Sequence, residues 1–267
     1  MIRPSLVAAA CFSLAAATSS CTSFVTVHGS GLVMTEERQV AETFHELYLS
    51  GAADVELTQG EGVYLSIDCD DNLLPHILST VEDGVLRVRF EPGNWSPSER
   101  PIYRIGVEEL DRVRLSGSVH MVAGTLSADD LDVSLSGSGS AKLDAIDAHS
   151  AAFTNTGSSS LILGQLTAVD LRVRISGSGE VLVDEGRVSD FQGKVSGSGD
   201  LEMSEVRTDR ASLRISGSGS GMIWAEKSLE ARVSGSGEVG FRGQPEDVNT
   251  SVSGSGNVHS LSGLTED

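Results

Sequence analysis

The sequence predicts an all-β fold, a single-stranded right-handed parallel β-helix built from coils of about 20 residues. Three observations carry this prediction. A Ser-Gly-Ser-Gly tetrapeptide recurs at a nearly constant step. Apolar residues keep fixed positions between one recurrence and the next. The composition suits short strands joined by tight turns, with 30 glycines, 6 prolines and only 4% aromatic residues among 39% hydrophobic ones. A disordered Gly-Ser linker would be poor in aliphatics and would have no reason to keep a period.

The tetrapeptide starts at Ser136, Ser176, Ser196, Ser216, Ser234 and Ser253, with degenerate copies at Ser116 and Thr156. Successive steps are 20, 20, 20, 20, 20, 18 and 19 residues. Self-similarity at such a period marks a solenoid, in which each repeat contacts only its neighbours. Every copy has glycine at its second position, from Gly117 to Gly254. A corner with positive φ in each coil explains that. The flanking serines would stack into ladders whose hydroxyls serve neighbours or the corner backbone.

Between the corners, the apolar residues form columns. Five residues after the first Ser stand Met121, Ala141, Leu161, Val181, Leu201, Gly221, Val239 and Val258. Seven after it stand Ala123, Leu143, Leu163, Val183, Met203, Ile223, Phe241 and Ser260. Further columns lie one and three residues before each corner, as in Leu135 and Val133, and ten after it, as in Leu126 and Ile146. Alternation with period 2 places each set on one face of a strand. One repeat cannot bury such a face alone, whereas stacked coils paired in parallel at ~4.8 Å bury all of them in one tube. The right hand follows from the general preference of parallel crossovers. Two departures stand out. Asn155 occupies a core column, so it either turns outward at a bulge or joins a polar ladder with Thr156. The 18-residue step after Ser216 shortens one connection, and Trp224 is expected to pack beside it.

Upstream, residues 22–115 form an irregular β portion, residues 116–260 the regular coils and residues 261–267 an acidic tail. Leu47 to Leu57 repeats the coil motif around Ser50-Gly51, and Val25 to Gly31 reads as a still earlier coil. Val63–Ile67, Leu86–Phe90 and Ile102–Val107 alternate as strands. Asp71 to Leu78 reads as a short helix or turn interrupted by Pro75, and Asn94 to Pro101 as a loop.

Residues 1–21 have the form of an export signal: Arg3 in a short basic start, an apolar stretch from Leu6 to Ala17, then small residues. Ala17-Thr18-Ser19-Ser20-Cys21 resembles a degenerate bacterial lipobox, which makes Cys21 the candidate lipidation site. The expected localisation is export, to the outer membrane or a periplasm-facing lipoprotein or to the cell surface, touching the membrane only through that N-terminal lipid anchor. Cys69 is the only cysteine beyond the signal, so the mature chain has no internal disulfide, and a buried inert thiol is expected there.

The formal net charge of −19 excludes nucleic acid as a direct partner, because phosphate neutralisation needs a basic footprint. No cofactor is expected. The six histidines are scattered, no Cys/His set has zinc spacing, and no phosphate loop or nucleophile elbow is present. Glu180 and Asp200, in adjacent coils, are the one pair of carboxylates that a polysaccharide-active β-helix enzyme could use; a solvated pair explains them equally. Two residues before the corners, Arg174, Lys194, Arg214 and Arg232 stack like charges in four consecutive coils. Such a ladder costs stability unless neighbours neutralise it, and Asp170 and Asp190, at strand starts nearby, are expected to do so. Its functional reading is contact with an anionic envelope polymer.

The order of motifs, Thr35-Glu36-Glu37-Arg38, then Leu49 to Gly60, Asp71-Asn72-Leu73-Leu74, Glu82-Asp83-Gly84-Val85-Leu86 and the Ser-Gly coils, resembles the auto-transporter adhesin head GIN domain family of bacterial exported proteins. The resemblance covers residues 30–260 and implies a β-helix-like protein of the cell envelope, with no catalytic or binding residues to carry over. The expected function is therefore a non-catalytic envelope or surface module, adhesin-like, with an envelope glycan or protein as partner. The alternatives are a polysaccharide-active β-helix enzyme, or an envelope protein that self-assembles end to end.

Overall fold

In the computed structural model, which describes residues 25–40 and 42–261, parallel coils stack into a β-solenoid. The coil strands run His120–Gly137, Ser140–Gly157, Ser160–Gly177, Glu180–Gly197, Asp200–Gly217 and Ser220–Gly235. Each pairs in parallel with the next at a 20-residue offset, for example Leu161 with Val181 and Gly177 with Gly197, until the last pair, where the offset shortens and Gly217 faces Gly235. The pairing skips two places per coil, at Gly124/Asp144 and Asp129/His149 in the first pair. With the Ser-Gly corner, these breaks divide each coil into three straight runs.

All the expected columns line the tube, and the structure adds two more. Leu131, Ala151, Leu171, Phe191, Ala211 and Leu229 are buried at the start of the third run. Ala148, Ala168, Val188, Thr208 and Ala225 are buried in the second. These columns mix small, aromatic and polar side chains, so their residue types reveal no common face.

The corner glycines have φ between +95° and +124° from Gly117 to Gly254. A second constraint acts on them. A Cβ on Gly177 would lie 2.5 Å from the carbonyl oxygen of Gly157 in the coil below. The corner backbone closes on itself: Ser178 N–H donates to Gly157 O at 2.9 Å and Ser198 N–H to Gly177 O at 2.8 Å. The serine hydroxyls are therefore not needed to satisfy it.

Asn155 takes neither expected arrangement. It points into the tube, 1% exposed, in register with Leu135 and Ile175. Its amide donates to Ser159 O at 2.6 Å and Glu180 O at 3.0 Å, and its carbonyl accepts from the buried Ser159 hydroxyl. Ser159 stands where neighbouring corners have Gly139 and Gly179, so the two departures complete each other. At the 18-residue step the register jumps from Met203/Ile223 to Arg207/Trp224. Trp224 covers the shortened run, half-buried, with the Arg207 guanidinium 4.7 Å from its ring centre.

The irregular N-terminal portion joins the same stack. Glu46–Gly51 and Asp54–Gln59 form a coil directly beneath Arg112–Gly117 and His120–Gly137, with Gly51 under Gly117. Between residues 59 and 112 the chain leaves the stack to build a cap. Val85–Phe90 and Ile102–Val107 run parallel under that first coil. Ile77–Glu82 and Tyr64–Asp70 then pair with them antiparallel, and Val33–Arg38 pairs antiparallel with Tyr64–Asp70. The Arg38 guanidinium bridges the cap's outer strands by donating to Ile77 O at 3.1 Å and Leu74 O at 2.9 Å.

Two local expectations change here and a third is met. Residues 25–31 are not a coil: Thr26–His28 pairs with Asn94–Ser96 in a separate two-stranded sheet. Buried Asp70 and its neighbour Asn72 hold that segment, through Gly31 N–H to Asp70 Oδ1 at 2.8 Å and Asn72 Nδ2 to His28 O at 2.9 Å. Asn94–Ser96 is accordingly a strand within the expected loop. The expected helix or turn at 71–78 is one turn of 3-10 helix, Leu74–His76, with Pro75 in its first turn where a missing N–H costs nothing.

Candidate functional site

Period 2 turns the side chains two and four residues before each corner outward, on the third run of the coil. Arg174, Lys194, Arg214 and Arg232 stand there in register and exposed. At ordinary strand spacing the four charges span about 14 Å along the axis. The structure adds Arg172, two residues before Arg174 on the same strand and equally exposed. The alternation that identified the columns would have found it.

The ladder is neutralised unevenly. Glu230 pairs with Arg214 at 3.2 Å and also with Arg232. The Ser212 hydroxyl, then the charges of Arg232 and Arg214, hold the Glu230 carboxyl below the usual glutamate range. Asp170 and Asp190 do not take this part. Asp190 is bound by Arg210 through two contacts of 2.5 Å, and Asp170 forms no ion pair with the stripe. Asp190 sits at the start of the run, where the corner aims it at Arg210 in the next coil. Arg172, Arg174 and Lys194 therefore have no ion-pair partner among the described residues. At these two outward positions the four coils place five cations against one carboxylate, Glu230, on a chain of net charge −19, with Asp170, Asp190 and Arg210 one outward position earlier on the same run.

Beside the stripe lies a shallow recess of about 500 Å³, lined by Asp190, Phe191, Arg210, Ser212, Leu229 and Glu230, among others. Four of its polar side chains engage one another, in the Asp190–Arg210 pair and in the bond from Ser212 to Glu230 at 3.0 Å. Glu180 and Asp200 are exposed neighbours in register. Asp200 accepts hydrogen bonds from Ser220 N–H and Oγ–H at 3.2 and 2.6 Å, an arrangement that trims a coil edge. Cys69 is buried, and burial pushes its thiol up to about 11, so it stays protonated at neutral pH. Among the described residues no group of His, Cys, Asp and Glu could hold a metal ion, and no helix is long and apolar enough to cross a membrane. Cys21 and the signal segment lie outside the described residues.

The family described as "Putative auto-transporter adhesin, head GIN domain" matches residues 43–245. The chain belongs to this family. Its match begins just before the Glu46–Gly51 strand and ends within the last full coil, so the GIN domain takes in both the cap and the solenoid. Solved structures give the same architecture. A crystal structure of a "putative lipid binding protein" from Parabacteroides distasonis superposes with a TM-score of 0.82 at 24% identity, covering 89% of this chain and 100% of that one. A "putative adhesin" from Parabacteroides merdae gives 0.79 at 22% identity, covering 88% and 99%. A second from P. distasonis gives 0.80 at 20%, covering 89% and 100%. These likenesses show the fold. Comparison with curated proteins finds no match. The family and these neighbours are described as adhesins or as lipid binding, not as enzymes, and an adhesin-head family points to an exported or surface protein.

Proposed function

We propose that this GIN-domain protein is a non-catalytic binding module of the cell envelope or surface that engages an anionic polymer through Arg172, Arg174, Lys194, Arg214 and Arg232. One observation carries the reading: Arg174 and Lys194 face each other in register, Arg172 stands two residues before Arg174 on the same strand, and all three are exposed with no ion-pair partner among the described residues. Like charges facing each other across a parallel ladder destabilise it. A polyanion lying along the axis removes that cost and meets a cation at every coil. The enzyme alternative lacks support, because Glu180 and Asp200 lie on an open face and Asp200 is engaged by Ser220.

The test is a glycan array that includes sulfated and uronate polymers, followed by titration of the purified chain at two salt concentrations. Exposed charge contacts contribute about 0.2–1 kcal/mol each, so reversing two of them in Arg174→Glu/Lys194→Glu should weaken binding about tenfold. Binding should also fall with salt. Unchanged binding in that variant, or none to any polyanion, overturns the proposal.

A second reading concerns attachment. Val25, Leu32, Val33 and Met34 are 85%, 58%, 44% and 50% exposed at the cap end, within about a dozen residues of Cys21. We propose that Cys21 is acylated, in an outer-membrane or periplasm-facing lipoprotein, and that this apolar segment rests against the bilayer interface beside the anchor. Intact mass of the exported protein, against a Cys21→Ser variant, tests the acylation. Flotation with vesicles of Leu32→Ser/Met34→Ser tests the contact. An unmodified Cys21 refutes the first part, and unchanged flotation the second.

A further inference from the structure

The two ends of the solenoid are finished differently. The N-terminal end is closed by antiparallel strands and the Arg38 bridge. The C-terminal end is open among the described residues. As a strand, Asp247–Gly254 is bordered among the described residues by Ser220–Gly235 alone, and Asn257–Ser260 lies beside Glu238–Arg242. Val248, Thr250 and Val252 continue the inward columns of Leu229, Ala231 and Val233, yet Val248 and Val252 are 50% and 44% exposed. Backbone donors and acceptors and an apolar tube mouth face outward together.

The sequence of that end is unlike the rest. Charged residues make up 21% of the chain, yet residues 248–265 contain no Asp, Glu, Lys or Arg. Open strand edges are commonly protected by charge, proline or a bulge. Residues 248–260 contain no charge and no proline. A net charge of −19 sets copies of the chain against one another, and that repulsion is weak where a strand carries no charge.

We propose that two copies join tail to tail, with Asp247–Gly254 of each pairing antiparallel across a two-fold axis and the two tube mouths forming one core. The mouth fits a second copy because a two-fold axis across the rod brings identical columns and an identical uncharged strand face to face. With in-register pairing Asp247 falls opposite Gly254, so no like charges meet. The closed cap prevents head-to-tail growth, so the product is a dimer rather than the filament that end-to-end assembly would give.

Sedimentation of the purified chain at micromolar to tens-of-micromolar concentration should show twice the chain mass. Thr250→Lys and, separately, Val252→Lys place like charges near the axis and should return the protein to single-chain mass. Unaltered circular dichroism and thermal unfolding would show that each variant still folds. Hydrogen exchange over 247–260 should be slow in the dimer and fast in the variants. Three results overturn the proposal: a single-chain mass with fast exchange, a single-chain mass with slow exchange, which assigns the mouth to the chain's own tail, or a dimer that neither lysine disturbs. None of these outcomes bears on the basic stripe.

Discussion

Replacing a corner glycine separates two costs that the solenoid imposes together. Gly177 has φ +118° and Gly51 has φ +110°, so alanine at either meets a backbone region that L residues avoid, at a cost of about 1–3 kcal/mol. The surroundings differ. A Cβ at Gly51 meets nothing within 4 Å, because the strand beneath it, Val85–Phe90, pairs only as far as Leu49. A Cβ at Gly177 meets Gly157 O at 2.5 Å. To admit it, two coils must part at the corner, which strains the bonds that cross that seam, from Ser178 N–H to Gly157 O and from Glu180 N–H to Ser159 O. Two weakened backbone bonds at about 0.5–1.5 kcal/mol each add about 1–3 kcal/mol. Gly177→Ala should therefore destabilise by about 2–6 kcal/mol, and Gly51→Ala by about 1–3 kcal/mol. Urea unfolding followed by circular dichroism measures both. A change in slope for Gly177→Ala alone would mean that the array has split into independently melting halves, since each coil is held only by its neighbours. Equal midpoints for the two variants would refute the close-approach argument and leave φ as the whole explanation.

Three further outcomes follow from specific contacts. Asn155→Leu should cost about 1–3 kcal/mol by leaving the buried Ser159 hydroxyl unpaired, whereas Asn155→Leu/Ser159→Gly should recover most of that loss; a double-mutant cycle on unfolding free energies measures the coupling, and additive losses would contradict it. Asp70 is held below the usual aspartate range by hydrogen bonds from the Ser98 side chain, Ser98 N–H and Gly31 N–H, against burial that pushes it up. A depressed folded value means its stabilisation is fully present above the unfolded value near 3.8 and is lost as pH falls through the folded one. Acid unfolding monitored through Trp95 fluorescence should show this loss, and Asp70→Asn should flatten it. Lys194→Gln removes the middle charge of an unpaired stack and should raise stability by a few tenths of a kcal/mol at low salt, with the gain disappearing as salt rises; a loss of stability would mean the ladder is compensated by contacts other than Glu230.

The regular coils were legible because a stacked coil repeats its interior position for position, so residues such as Leu143, Leu163, Val183 and Met203 fall 20 apart and declare one face. One column of the second run was not, since Ala168, Val188 and Thr208 share it without sharing a residue type, although the column through Leu126 and Ile146 beside it was. The cap was legible as strands but not as a topology. Alternation in Ile102–Val107 shows that one face is buried, and says nothing about whether Asp54–Gln59 or Tyr64–Asp70 lies beside it; both do. For the same reason the glycines of residues 29–31 resembled a corner, although a Cβ on Gly29 would strike the Asp70 carboxylate at 2.2 Å and the segment is fixed by that group. The partner of Asn155 was visible in the same copy of the repeat, as the serine four residues on that replaces a glycine. Two departures in one coil signal compensation.

The stripe follows from the same rule that made the fold readable. A 20-residue coil places every outward residue above its equivalent, so one cation in the repeat becomes a line of cations, and one carboxylate of the right offset becomes its neutraliser. Glu230 neutralises Arg214 and Arg232 because it lies on the same run, two residues before Arg232. The corresponding places below it are Ser212, Gln192 and Arg172, none of them acidic. A stack selected only for stability would place an acid at one of them, at no cost to the tube. Gln192→Glu therefore tests whether the unpaired charges serve binding. It should stabilise the fold through pairing with Lys194 and weaken polyanion binding at the same time. If it stabilises the fold and leaves binding unchanged, the open cations are not the site.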